Sequence, residues 1–148
     1  MSIYLHRPSR TDPTCAPEGD DTFYALSPMP NLGGKDPVDW SDMQETYREK
    51  MAKVLDEQLL PGFEATIAEQ EIFTPKTFET RYLSPFGAGF SLEPRIFQSA
   101  WFRPHNISEE VKGLYIVGAG THPGAGLPSV VTSAEVLAQL APDAKALQ

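Results

Sequence analysis

Apolar residues fall into short clusters near the start of the chain and into a regular spacing of three and four from Trp40 onward. Residues 2–6 (Ser-Ile-Tyr-Leu-His) read as a short strand stopped by Arg7-Pro8, and Thr22 to Ser27 as a second, closed by Pro28, Pro30, Gly33 and Gly34. Between them Pro13, Pro17 and Gly19 punctuate a polar connection of about fifteen residues, longer than the usual hairpin loop, across which the two strands are expected to pair. The spacing then predicts a helix over 37–60, with Asp36 as N-cap and Pro37 at the first helical position. Its stripe of Trp40, Met43, Tyr47, Met51, Val54, Leu55 and Leu59 reads as core, and its charged face, including a Glu49–Lys53 pair, as solvated. Pro61-Gly62 ends it.

Ala65 to Phe73 alternates weakly, as a strand would, and Thr74-Pro75 opens a short helix through about Tyr82. Leu83 to Asn106 then carries Phe86, Phe90, Phe97, Trp101 and Phe102 among prolines and glycines; these aromatics either cover a core as an irregular layer or line an apolar ligand site. Leu114-Tyr-Ile-Val117, bounded by Gly113 and Gly118, has the continuous apolar character of a strand buried on both faces. A glycine-rich stretch follows, and Pro128 begins a last helix whose face is Val130, Val131, Ala134, Leu137, Ala138 and Ala141, ending at Pro142. The elements describe a mixed α/β (α+β) fold: a few strands, a long helix 37–60 and a final strand-turn-helix at 114–141.

Composition narrows the function classes. A compact chain of 148 residues would bury ~68–70% of its unfolded surface, so two full domains are not expected. Leu, Ile, Val and Phe make up 34 of the 148 residues, just above the ~20% level at which disorder becomes the default, so the core is thin. The net charge of −8 disfavours a nucleic acid partner, because an acidic surface repels a phosphate backbone. No apolar run approaches the ~18 residues of a membrane span and the start lacks a signal-peptide pattern, so the chain is expected to be soluble or to lie on a membrane by its surface. Cys15 is alone, which excludes an internal disulfide and fits a reducing cytoplasm; His6, His105 and His122 are scattered without HExxH, and no metal site is expected.

The Gly-x-Gly after residues 114–117 evokes a dinucleotide fingerprint but departs from it. The third glycine is one place late, Pro123 interrupts the turn, and no second parallel strand with an acidic residue follows, so a self-contained Rossmann unit is not expected. What the residues do predict is a rigid turn that brings backbone, with the Thr121 and Ser129 hydroxyls, to the positive end of a helix, suited to an anionic or electron-rich acceptor. A tight crossover that binds nothing fits the same residues. His122 reads either as a satisfied turn residue or as a titrating group.

The block Gly113–Glu135 (GLYIVGAGTHPGAGLPSVVTSAE) resembles the C-terminal signature of bacterial phytoene desaturases, FAD-dependent carotenoid desaturases of the amine-oxidase-like flavoprotein group. The resemblance continues through Gln98–Asn106, Phe86–Pro94, Phe73–Pro75, Leu60–Gly62 and His6–Pro13, in the family's order. It implies the C-terminal portion of a two-domain FAD-dependent oxidoreductase, with 1–112 part of the substrate-binding domain and 113–148 the returning strand, turn and helix of the FAD domain. The N-terminal nucleotide-binding part would be the first partner, and the portion alone would be inactive and prone to self-association through uncovered apolar surface.

By the same resemblance FAD is the cofactor, contacted by Gly118, Ala119, Gly120, Thr121, His122, Gly126, Leu127, Pro128, Ser129 and Val130, with the helix N-terminus near the isoalloxazine. Pro128 has no N–H, which leaves Ser129 and Val130 as donors. The implied chemistry removes hydrogen from a phytoene-like C40 polyene, hydride passing to flavin N5 and a proton leaving the neighbouring carbon. No general base is assigned; His122 and Glu93 are the titratable residues within the matching blocks. Such a substrate implies a cytoplasmic enzyme touching the inner face of the cell membrane without crossing it. A non-catalytic lipophilic-ligand or partner-binding module, or a carotenoid desaturase or isomerase with another substrate, are the alternative readings.

Overall fold

The computed structural model describes residues 1–93 and 95–142, which divide into two compact units at Gly87–Ala88. In the first, β1 (Tyr4–His6) and β2 (Tyr24–Leu26) pair antiparallel with Leu5 opposite Ala25. The expected pairing is therefore present, over three residues a side. The long connection permits it because it is folded on itself. Two 3-10 turns, Pro8–Arg10 and Pro13–Cys15, take up its length, and Asp12 caps the second by accepting from Thr14 N at 2.9 Å. Asp21 then closes the loop, accepting from Arg7 Nε and Ser9 Oγ, each at 2.8 Å.

The long helix, α1, spans Trp40–Gln58, three residues later than the sequence pattern suggests. Its N-cap is Asp39 and not Asp36: the Asp39 carboxylate accepts from Ser41 N at 3.0 Å and also bonds the Ser41 hydroxyl, whereas Asp36 and Pro37 lie in the connection ahead of the helix. Trp40 (7% exposed) and Leu55 are the buried residues of the stripe, and Ala52, outside it, is buried too; Tyr47, Met51 and Val54 are half-buried, and Met43 and Leu59 are exposed. Lys53 pairs with Glu57 at 3.8 Å in place of Glu49. The charged face is otherwise gathered by Arg48, which reaches Glu45 at 2.5 Å and Glu64 at 3.5 Å.

No strand forms over 65–73 among the described residues. Glu64–Thr66 is a single 3-10 turn, tied by Thr66 Oγ1 to the Phe63 carbonyl at 2.8 Å, and the segment beyond it has no partner strand to complete a ladder. The next helix, α2, spans Pro75–Tyr82 as expected, with Thr74 and Thr77 forming a reciprocal capping box and Phe73, Phe78 and Tyr82 packed ring to ring within 6.3 Å. Gly87 lies against its first turn at φ +66°, where a Cβ would stand 2.0 Å from the Pro75 carbonyl oxygen, so only glycine fits.

In the second unit the aromatics do not cover a core. Ile96, Phe97, Trp101 (76% exposed) and Phe102 project from two 3-10 turns, Ile96–Gln98 and Ala100–Phe102, into open space. Residues 114–117, expected to be a buried strand, make a single bridge, Tyr115 to Ile107, with Ile116 N donating to Asn106 O at 2.8 Å and Ser108 N to Leu114 O at 2.9 Å. Leu114 and Val117 are exposed, because one bridge supplies neither a full ladder nor cover on either face. The last helix, α3, is Leu127–Leu140, with Pro128 in its first turn. Its buried residue is Ser133; Val130 and Leu137 are half-buried beside it, while Val131, Ala134, Ala138 and Ala141 of the expected face are exposed. The helix is thus turned so that a hydroxyl, and not the alanine and valine stripe, meets the interior.

Candidate functional site

The turn between Val117 and α3 is built on a polar core. Asn106 (3% exposed) donates through Nδ2 to Ile116 O at 3.2 Å, His122 O at 3.2 Å and Ser133 Oγ at 3.1 Å. Ser133 Oγ in turn accepts from Gly118 N at 3.1 Å. Arg103 (7% exposed) reaches the turn from the other side, donating from Nε to Thr121 O at 2.9 Å and from Nη2 to Ala119 O. Four carbonyls of the segment are thereby captured by two buried side chains. Buried polar groups of this kind are stable only when bonded, and this cluster meets that requirement.

The residues singled out from the sequence separate into two groups. Gly118, Ala119 and Gly120 are half-exposed, and Gly126, Leu127 and Pro128 fully so, which leaves their backbone open to a ligand. Gly118 at φ +116° and Gly126 at φ +105° adopt conformations that a side chain would strain, with open space where a Cβ would point. Thr121 is the clearest departure: it is 0% exposed and its hydroxyl donates to Pro104 O at 2.7 Å, so it braces the turn from inside and presents no hydroxyl outward. Val130 N donates to Gly126 O at 2.9 Å within the helix, which leaves Ser129, half-buried, as the free amide of the two expected at the N-terminus. Helix N-termini carry such orphan donors and partial positive charge.

His122 is half-buried, follows Thr121 and precedes a cis peptide bond to Pro123. Its Nε2 lies 3.1 Å from Arg103 O, an acceptor, so this nitrogen carries hydrogen and Nδ1 is the basic one in the neutral ring. The His122 ring stacks on His105 at 5.2 Å, and His105 Nδ1 meets Glu109 Oε1 at 2.6 Å. Glu93 stands apart as an exposed ion-pair partner of Arg95. Sequence reasoning missed Arg103, Asn106 and Ser133. A signal existed for one of them: Ser133 sits three residues after Val130 and four before Leu137, a core position of the final helix occupied by a polar residue.

No family model matches the chain. Over 144 residues, 97% of its length, it is 68% identical to the neurosporene-forming phytoene desaturase of Rhodobacter capsulatus. The chain is thus similar to one segment of bacterial carotenoid desaturases. To the lycopene-forming phytoene desaturase of Pseudescherichia vulneris it is 47% identical over 140 residues, and to the 4,4'-diapophytoene desaturase of Staphylococcus aureus 41% identical over 141 residues. The chain spans 28% of the length of each of these relatives. Within it, the block His6–Pro13 has a visible structural task, since Arg7, Ser9 and Asp12 hold the β1–β2 connection. Gln98–Asn106 ends on the two side chains, Arg103 and Asn106, that hold the glycine turn. Among the described residues no helix is long and apolar enough to cross a membrane.

Proposed function

We propose that the chain is the C-terminal portion of an FAD-dependent phytoene desaturase, acting in carotenoid biosynthesis by dehydrogenating a C40 polyene, and that the turn from Gly118 to Val130 faces the isoalloxazine. The observation that carries this reading is the turn itself: its carbonyls are drawn inward by Arg103 and Asn106 while the backbone from Gly118 to Gly120 and from Gly126 to Pro128 stays open. The open side lies at a helix N-terminus, which suits the electron-rich edge of a flavin. When bound, FAD supplies the two-electron acceptor for the hydrogen removed. The chain's own tasks are to hold the ring from one side, to orient it through fixed backbone dipoles, and to exclude water. Exposed Ile96, Phe97 and Trp101 add an apolar surface suited to a lipophilic substrate.

In this reading residues 1–112 belong to the substrate side and 113–148 return to the nucleotide-binding part, which together with the polyene is the partner. The enzyme is cytoplasmic and meets the inner face of the cell membrane through apolar loops, because its substrate dissolves in bilayers. The difference between 68% identity to a neurosporene-forming relative and 47% to a lycopene-forming one favours neurosporene as the product. The test is to purify the chain alone and joined to its upstream reading frame, and to measure flavin absorbance. The joined protein is expected to carry one FAD and the chain alone none. A stoichiometric yellow complex of the chain alone would overturn the dependence on the nucleotide-binding part, and a joined protein that binds no flavin would favour a non-catalytic module.

A further inference from the structure

We infer that Arg103 is a positioning residue for the flavin: a buried cation that aims two backbone amides at the cofactor and lends its charge to the reduced form. The inference rests on the reading that the turn faces the flavin. Arg103 is 7% exposed and bonds the carbonyls of Ala119 and Thr121. The cis bond in the described chain is His122–Pro123, so the peptides 119–120 and 121–122 are trans. In a planar trans peptide the carbonyl oxygen and the following amide hydrogen point opposite ways. Capture of Ala119 O and Thr121 O by one guanidinium therefore turns the N–H groups of Gly120 and His122 away from it. Two amide dipoles, each with its positive end turned away from the guanidinium, are set by a single rigid fork.

The charge is the second half of the argument. Among the described residues no carboxylate pairs with Arg103; its neighbours are carbonyl oxygens. A purely structural clamp needs no charge, since Asn106 performs the same capture on Ile116 O and His122 O with a neutral amide. Burying an unneutralised guanidinium is costly unless an anion completes it. The acceptor that gains negative charge on receiving two electrons supplies that anion. Arg103 thus favours the reduced cofactor over the oxidised one through both its charge and the amides it orients.

The test uses the full-length desaturase that carries this segment, with the potential of its bound flavin measured by dye-equilibrated reduction. Arg103→Gln keeps a neutral donor and is expected to weaken reduced relative to oxidised FAD at least tenfold, a fall of about 30 mV for a two-electron couple. Arg103→Lys keeps the charge without the fork and is expected to lose about threefold. An unchanged potential in an Arg103→Gln protein that retains stoichiometric FAD would overturn the role of Arg103 while leaving the flavin-facing turn in place. If that variant sheds its flavin, Arg103→Lys decides, and an unchanged potential there overturns the inference. Failure of the unmodified full-length protein to bind FAD would instead defeat the reading on which it rests.

Discussion

Replacing Asn106 tests whether the glycine turn is held from within as described. One amide nitrogen, with two hydrogens, serves Ile116 O, His122 O and Ser133 Oγ at 3.1 to 3.2 Å, all in a site 3% exposed. Alanine removes both hydrogens. Ser133 Oγ keeps the Gly118 N–H, but Ile116 O and His122 O lose this donor. A buried group left unbonded costs ~1–3 kcal/mol, so the pair amounts to ~2–4 kcal/mol once local adjustment is allowed. For a unit of this size that corresponds to a fall in melting temperature of about 10–30 °C. Asn106→Asp is closer in shape, yet an ionised carboxylate turns acceptors toward acceptors, so at neutral pH it should be less stable than Asn106→Ala. Urea unfolding followed by far-UV circular dichroism on the three proteins gives the order. Asp equal to Asn, or more stable than Ala, would refute the assignment of Nδ2 as the shared donor.

Other expectations concern single features. Gly87→Ala meets the Pro75 carbonyl at 2.0 Å and adopts φ +66°, so it should lose ~2–4 kcal/mol in urea titration. Gly62→Ala, at φ +85° with nothing within 4 Å, should lose about 1 kcal/mol and serves as its control. The Arg7 and Ser9 bonds hold the Asp21 carboxyl below the usual carboxylate range. A depressed folded value means that the ionised form stabilises, so this contribution is present above the ordinary pKa of about 3.9 and is lost as pH falls through the lower folded value. Acid unfolding of Asp21→Asn should lack that component, and a curve identical to that of the unmodified chain would count against it. The exposed Leu127 and Val131 on α3 should make the isolated chain bind apolar dyes, with Leu127→Ser/Val131→Ser reducing the signal.

The elements legible in the sequence are those fixed by local chemistry. The β1 and β2 runs, the Thr74-Pro75 start of α2 and Pro128 in the first turn of α3 need only neighbouring residues to act, and each lies where the pattern indicates. Asp36 before Pro37 has the local form of a helix start, yet the cap is Asp39, whose carboxylate is bonded by both the amide and the hydroxyl of Ser41 two residues on. Residues 65–73 and 114–117 have strand-like composition, but a strand is made by its partner, and apolar content cannot show that Tyr115 has only Ile107 to meet. The glycine turn was legible as an open backbone. Its scaffold was not, because Arg103, Asn106 and Ser133 are polar residues whose bonds span up to 27 positions, and spacing rules expect such side chains at the surface.

The placement of the two tryptophans, Trp40 buried at 7% in one unit and Trp101 at 76% exposed in the other, gives the molecule a two-colour emission. Indole fluorescence shifts to the red as water reaches the ring, so Trp40 supplies the blue component and Trp101 the red. Unfolding of the first unit then reads as a red shift, while a ligand or partner settling over Trp101 reads as a blue one. Opposite spectral signs let a single titration distinguish the melting of one unit from the covering of the other.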